Sequence, residues 1–426
     1  MLLVNIVYIL LLLPGVISRH RSTIKITHSP ITLPIAKRIN ATGIMKFVEA
    51  DRARARALVH MVKMRGAGFT VRARSLTCPP REPAPAPAIP ATNGLVQYTA
   101  SVGVGSPASQ FSLVIDTGSS NTWVGATKKF VKTSTSVQTS NRVAVTYGSG
   151  SFSGTEFTDR VTLSSTLVIN NQGIGVASAS SGFDEGVDGI LGLGPTDLTL
   201  DTLSPATSTL IPTVIDNLFA QGTIPSRLVA ISFEPTNSET ITNGEITFGG
   251  IDSSKFTGAI TFVPITTTSP ANEFWGINQS VRYGTSTTIL STTAGIVDTG
   301  TVLLLLATNA ITAYKKASGA VLDNTTGLLR LTTAQFAALQ SLFFTIGGTT
   351  FELTANAQAW PRNLNADIGG TANNVYLIVG DLGTPSGEGL DFINGQTFIE
   401  RFYTVFDTTN NRVGFATTPF TTATTN

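Results

Sequence analysis

Three textures follow one another along the chain. The first is an apolar run from Leu2 to Leu13, closed by Val16 and Ser18 at small-residue spacing and by the basic Arg19. Its length and flanks predict a secretory signal peptide over residues 1–18, too short to span a bilayer well. The second texture, in residues 19–78, is amphipathic. Ile44, Phe47, Val48, Ala55, Leu58, Val59 and Val62 recur at helical spacing, with Arg52, Arg54, Arg56 and Lys63 between them. From residue 91 the third texture takes over. Runs rich in Val, Ile, Thr, Phe and Tyr alternate with Gly, Ser and Asn clusters, which predicts many short strands. Helices are few there: about Thr213–Ala220, about Asn309–Ala317, and one opened by the capping pair Thr332 and Gln335 and running to about Leu342. Residues 79–90, PPREPAPAPAIP, hold six of the 20 prolines. They predict an exposed, protease-accessible hinge that continues neither a helix nor a sheet ladder.

Charge changes the picture only when it is placed along the chain. Residues 1–90 carry 14 basic and three acidic residues, a balance of +11, and the remaining residues carry 14 basic and 23 acidic, a balance of −9. A basic segment behind a signal peptide and ahead of an acidic domain predicts a removable prosegment, with the mature chain starting near residues 80–92. The acidic balance argues against a nucleic-acid partner. No later stretch is long and apolar enough for a membrane helix. Asn40, Asn278 and Asn324 stand in glycosylation triplets, which fits export.

His20, His28, His60 and the single Cys78 all lie before residue 91. Downstream there is no imidazole and no thiol. Ser-His-Asp and Cys-His catalysis, zinc sites built on His or Cys, and intrachain disulfides are excluded there. An enzyme in this region works with carboxylates, Lys, Tyr, Ser/Thr or an oxygen-ligated metal.

One motif occurs twice. Val114-Ile115-Asp116-Thr117-Gly118-Ser119 returns as Ile296-Val297-Asp298-Thr299-Gly300-Thr301, 182 residues on. Each copy is an apolar strand ending in Asp, then a hydroxyl residue, Gly, and a second hydroxyl residue. Each is followed later by a related triplet, Ile190-Leu191-Gly192 and Ile393-Asn394-Gly395. Gly permits a tight turn whose backbone N–H groups approach a carboxylate, and the hydroxyls can bond its outer oxygen. A pseudo-twofold arrangement would bring the two Asp together. Paired carboxylates share one proton, so one member can take a proton from water while the other polarises a carbonyl. No metal and no cofactor are needed.

On these residues the chain resembles the pepsin-like aspartic endopeptidases over about residues 92–426. Ser120-Asn121-Thr122-Trp123, Tyr147-Gly148-Ser149-Gly150, Val187 through Gly194 and Phe402 through Asp407 fall in the family's order. The resemblance implies an all-β, bilobal fold: two pseudo-symmetric, barrel-like lobes, a central cleft and a shared sheet. It places the N-terminal lobe at 91–270 and the C-terminal lobe at 271–426, behind a prosegment at 19–90. It implies Asp116 and Asp298 as catalytic pair, with Ser119 and Thr301 on their outer oxygens and Thr117 and Thr299 bracing the loops. The Gly118 and Gly300 backbones would orient the carboxylates. Tyr147 would sit at the tip of a covering hairpin, anchored by a hydrogen bond from Trp123, with Gly148 and Ser149 offering backbone contacts to an extended polypeptide substrate. Phe111, Val114, Val187 and Ile190 are candidate pocket walls, which suggests bulky hydrophobic residues around the cut.

Two departures from the family stand out. Val302 replaces a usual Ser or Thr, which implies a modest change of subsite preference. Asn394 and Gln396 replace a more usual Leu and Asp. The basic leader is expected to act as intramolecular inhibitor, released and cut in acid. Lys37, Arg65, Arg72 and Arg74 are candidates to reach the pair, and Lys37-Arg38 is a candidate processing site. Pepstatin-type inhibitors and a monomeric state are also implied, because one chain supplies both Asp. An inactive binding relative would need a damaged motif, and a glycosidase needs no paired Asp-Thr-Gly turns.

Overall fold

Residues 45–65, 86–93, 96–183 and 186–426 are described by the computed structural model. The signal-peptide segment, Lys37-Arg38, Asn40, Arg72, Arg74 and Cys78 lie outside the described residues.

The amphipathic stretch of the leader forms helix α1, Met45–Arg65. The alternating Ala and Arg of residues 50–57 are strong helix formers. Its buried face is Val48, Asp51, Ala55, Leu58 and Val62, with Arg54 beside them. That spacing of three and four is the period of a helix laid against a surface.

The rest of the described chain is two strand-rich lobes. A 14-stranded sheet runs through the first, and a seven-stranded sheet is drawn wholly from residues 276–394. The large sheet also holds strands from the chain's end. Leu228–Ser232 pairs antiparallel with Phe402–Asp407, Val229 opposite Phe406, so the lobes share a sheet. This is the bilobal architecture that the resemblance implies.

Each Asp strand is built the same way. Ser109–Asp116 runs parallel to Gly189–Gly192, with Asp116 opposite Gly192. Thr287–Val297 runs parallel to Phe392–Asn394, with Val297 opposite Asn394. The short strand after each Asp turn, Trp123–Val124 or Leu304–Leu306, lies antiparallel on the other side of that triplet strand. The recurring triplet is thus the wedge between the two arms of each Asp turn.

Two expectations need correction. The Pro-rich hinge does enter a ladder at its end. Ala88–Asn93 pairs with Ile241–Phe248, Pro90 opposite Glu245. Ile89 and Ala91 alternate inward and are buried, and the Pro87 carbonyl accepts from Phe248 N. A proline lacks only the donor, and burial of its neighbours outweighs that loss. The third helix ends at Ala337, not Leu342. Thr332 and Gln335 do form the capping box, but Leu342, Phe344 and Ile346 have strand period and pair with Gly276–Tyr283. The other two helices are Val214–Ala220, capped by Thr213, and Thr308–Ser318, closed by Gly319. Asn278 lies within a strand, its Oδ1 accepting from Thr266, and Asn324 stands exposed on a turn.

Candidate active site

The two Asp-Thr-Gly turns meet face to face. Thr117 N donates to Thr299 Oγ1 and Thr299 N to Thr117 Oγ1, both at 3.0 Å. Each hydroxyl donates onward to the opposite strand: Thr299 Oγ1 to Ile115 O at 2.7 Å, and Thr117 Oγ1 to Val297 O at 3.3 Å. Reciprocal buried bonds of this kind satisfy every donor they use and fix the loops relative to each other. The glycines are required by closeness. A side chain on Gly118 would strike Asp298, and one on Gly300 would strike Asp116.

The carboxylates are held by equivalent sets of donors. Asp116 accepts from Gly118 N at 3.0 Å and Ser119 Oγ at 2.5 Å. Asp298 accepts from Gly300 N at 2.8 Å and Thr301 Oγ1 at 2.7 Å. All are buried. Behind Asp298, its own N–H donates to Asn394 O at 3.1 Å, and Gln396 Nε2 donates to Thr299 O at 2.7 Å.

The departure at Asn394 has a local explanation. Its amide pairs with Gln279: Asn394 Nδ2 to Gln279 Oε1 at 2.8 Å and Gln279 Nε2 to Asn394 Oδ1 at 3.1 Å. Both side chains are buried. Gln279→Leu alone should destabilise the lobe by about 1–3 kcal/mol, because it orphans a buried amide, whereas Gln279→Leu with Asn394→Leu should be close to neutral. Urea midpoints of the two variants would check this, and equal losses would overturn it.

Between the two Asp lies Arg54 of α1. Its Nη2 is 2.5 Å from Asp116 Oδ1, and its Nε is 2.7 Å from Asp298 Oδ2. Nη2 also reaches Asp298 Oδ1 at 3.1 Å. Burial opposes its charge, but the two carboxylates outweigh burial and keep it protonated. For Asp298, burial is outweighed by the charge and hydrogen bond of Arg54, and its pKa is lowered. Asp116 is raised, by burial first, with Arg54 opposing and the Asp298 charge adding.

Arg54 is not among the four leader residues expected there. Arg65 closes α1, eleven residues further, about 16 Å along the axis. One signal was present. Asp51 and Arg54 sit on the face defined by Val48, Ala55, Leu58 and Val62. Charged residues on a buried stripe need partners. Asp51 finds backbone partners: it accepts from Val302 N at 3.2 Å and from Leu303 N at 2.9 Å. Burial still pushes its pKa up to about 7. At position 302, where a hydroxyl is missing, the backbone is what the leader grips.

The hairpin formed by Val137–Thr146 and Ser151–Thr162 folds over α1. Its turn is closed by Tyr147 N donating to Gly150 O at 2.7 Å. Gly148, at φ +73°, approaches the helix backbone so closely that a Cβ would collide with the Ala53 carbonyl. Ala53 and Ala57 leave room for it, while Ser149 stays exposed. Val114, Trp123, Tyr147, Phe152, Val187 and Ile190 gather in one cluster, against which Phe183 packs. Phe183 stands edge-on to both Trp123 and Tyr147, and nothing in the motif pattern pointed to it. Phe111 does not join them: it lies in the main core beneath Lys128. Trp123 Nε1 and Tyr147 Oη are both buried and make no hydrogen bond of full geometry to any group, yet Trp123 stands close enough to Tyr147 to act on it as a hydrogen-bond donor. Burial raises the Tyr147 pKa, the charge of Asp116 adds to that, and Trp123 acts in the opposite sense.

The eukaryotic aspartyl protease family model matches residues 97–418. Polyporopepsin of Irpex lacteus is 72% identical over 338 residues, covering 79% of this chain and 99% of the relative. Cathepsin D of Dictyostelium discoideum is 32% identical over 341 residues, covering 75% and 83%. The crystal structure of an aspartic proteinase from Irpex lacteus superposes with a TM-score of 0.79 at 72% identity, covering 80% of this chain and all of that one. The chain belongs to the eukaryotic aspartyl protease family and is an aspartic-type endopeptidase.

Proposed function

We propose that this is a secreted endopeptidase made as a zymogen, with Asp116 and Asp298 as the hydrolytic pair and α1 as its built-in inhibitor. The observation that carries the reading is the Arg54 guanidinium seated on both carboxylates. A group bonded to both Asp occupies the place where a water and a scissile carbonyl would have to meet. With the helix gone, the pair shares one proton. Its ionised member takes a proton from water as the oxygen attacks the peptide carbonyl, and its protonated member donates to the carbonyl oxygen. Collapse of the tetrahedral intermediate breaks the C–N bond, with the proton returned to the leaving amine. The hairpin closes over an extended peptide and excludes bulk water. Val114, Val187, Ile190, Tyr147 and Phe183 would line an apolar pocket, which favours a bulky hydrophobic residue at the cut.

The full chain is expected to leave casein intact at pH 7 and to cleave it after exposure to pH 3.5, with mass spectra showing a cut near residues 80–92. Pepstatin should block the acid-treated enzyme. Full casein cleavage by the uncut chain at pH 7 would sink the reading.

A further inference from the structure

Helix α1 is not gripped only at Arg54 and Asp51. Seven residues before Arg54, the Phe47 ring stacks on Trp360, with ring centroids 5.9 Å apart and planes 24° apart. Trp360 is only 2% exposed in this state. Its Nε1 donates to Leu364 O at 3.2 Å, which holds the indole in place. The next helix residue, Val48, lies over Gly327, where a side chain would come into contact with it. On the other side of Arg54 the fit is looser. There Ala55, Arg56, Val59 and His60 leave a cavity of about 220 Å³ against Leu382, Thr384 and Leu390.

We propose that Trp360 forms a distal subsite of the mature enzyme, which takes an aromatic side chain of the substrate three residues from the residue at the cut. The proposal rests on the reading that α1 leaves. Seven helical residues span about 10 Å, and three residues of extended peptide span about the same distance. A substrate residue three places from the dyad therefore reaches the position that Phe47 occupies. The line between the two points is marked by donors suited to a strand. The Val302 and Leu303 N–H groups, now bonded to Asp51, lie between the Arg54 and Phe47 positions and fall free when the helix departs. An indole fixed by its own hydrogen bond is pre-organised for a ring and loses little freedom on binding one.

The test uses acid-processed enzyme whose mass confirms loss of the leader, so a chain that never processes is recognised before any peptide is added. One cleavable peptide is prepared with Phe, Leu or Ala walked through the second to fourth places on either side of the cut. On one side, Phe in the third place should raise kcat/KM roughly five- to tenfold over Ala, the worth of an aromatic contact. Trp360→Ala should abolish that preference, and Trp360→Phe should keep it. Each enzyme's rate on the Ala peptide serves as its own reference, and the Phe-to-Ala ratio is what is read. A wild-type enzyme with no aromatic preference in the third place on either side overturns the proposal, and needs no variant to fold. So does a preference that survives in Trp360→Ala.

Discussion

Asp298→Ala should abolish peptide-bond hydrolysis, lowering kcat/KM on casein by at least about a thousandfold against the processed parent. The two carboxylates are one chemical device. Neither can be both proton acceptor and proton donor at the start of the reaction, so one alone supplies half of what the attack needs. The loss should not be a folding effect. The Thr117–Thr299 brace does not pass through the Asp298 side chain, and the strand beneath it is pinned through backbone atoms and the Gln279–Asn394 pair. The variant's far-UV dichroism and urea midpoint should therefore stay near the parent's. Since it cannot cut its own leader, it must be processed by immobilised parent enzyme, which is then removed. Cleavage of casein by the processed variant at more than a hundredth of the parent rate would refute the dyad.

The sequence reading reached furthest where chemistry is local. A duplicated Asp-Thr-Gly turn carries its own donors, so Ser119, Thr301, Gly118 and Gly300 stand around the carboxylates where the motif places them. Period-two burial likewise marked most strands, and capping pairs marked helix starts. What escaped depends on partners far along the chain. Gln279 and Asn394 are 115 residues apart, and each looks like a misplaced polar residue until the other is known. The same holds for Gln396, whose bond goes to a carbonyl in the Asp298 turn. The strand at Ala88–Asn93 was hidden by its proline, although Ile89 and Ala91 had the alternation. Arg54 was hidden by abundance. In a leader with 14 basic residues, net charge accounts for attraction but does not say which residue is buried. Helical phase does, because Arg54 shares its face with Asp51 and the apolar stripe. Arg52, two residues earlier, donates instead to the Asp381 carbonyl at 3.1 Å.

Arg54→Ala should unlatch the leader at neutral pH. Removing one partner from a buried ion pair costs about 3–5 kcal/mol, which is roughly a hundred- to several-thousandfold in the docked population. The pH dependence should change as well, and its sign follows from the carboxylates around the helix. The Asp298 pKa is lowered from 3.8 in the docked state: burial opposes this, but the charge and hydrogen bond of Arg54 outweigh it. That contribution is present above 3.8 and is lost as pH falls through the lowered value. Asp51 runs the other way. Burial pushes it from 3.8 up to about 7, so its contribution is present below 3.8 and is lost as pH rises through 7. At Asp116, burial and the Asp298 charge raise the pKa, but Arg54 lowers it, so what the helix contributes there follows Asp298. The leader is thus held most firmly in a mildly acidic window and loosens at both ends. Acid release resides in the bonds of Arg54 to the two dyad carboxylates, not in protonation of carboxylates at large. Casein cleavage by the full chain, scored with mass spectra for uncut leader from pH 3 to 7.5, checks both limbs. Arg54→Ala should be active at pH 7 with no acid step, whereas Asp51→Asn should hold its leader more firmly than the parent at pH 7 while still opening in acid. An Arg54→Ala chain that stays inert and uncut at pH 7, with the parent's profile, would show that the helix is held by its apolar face alone.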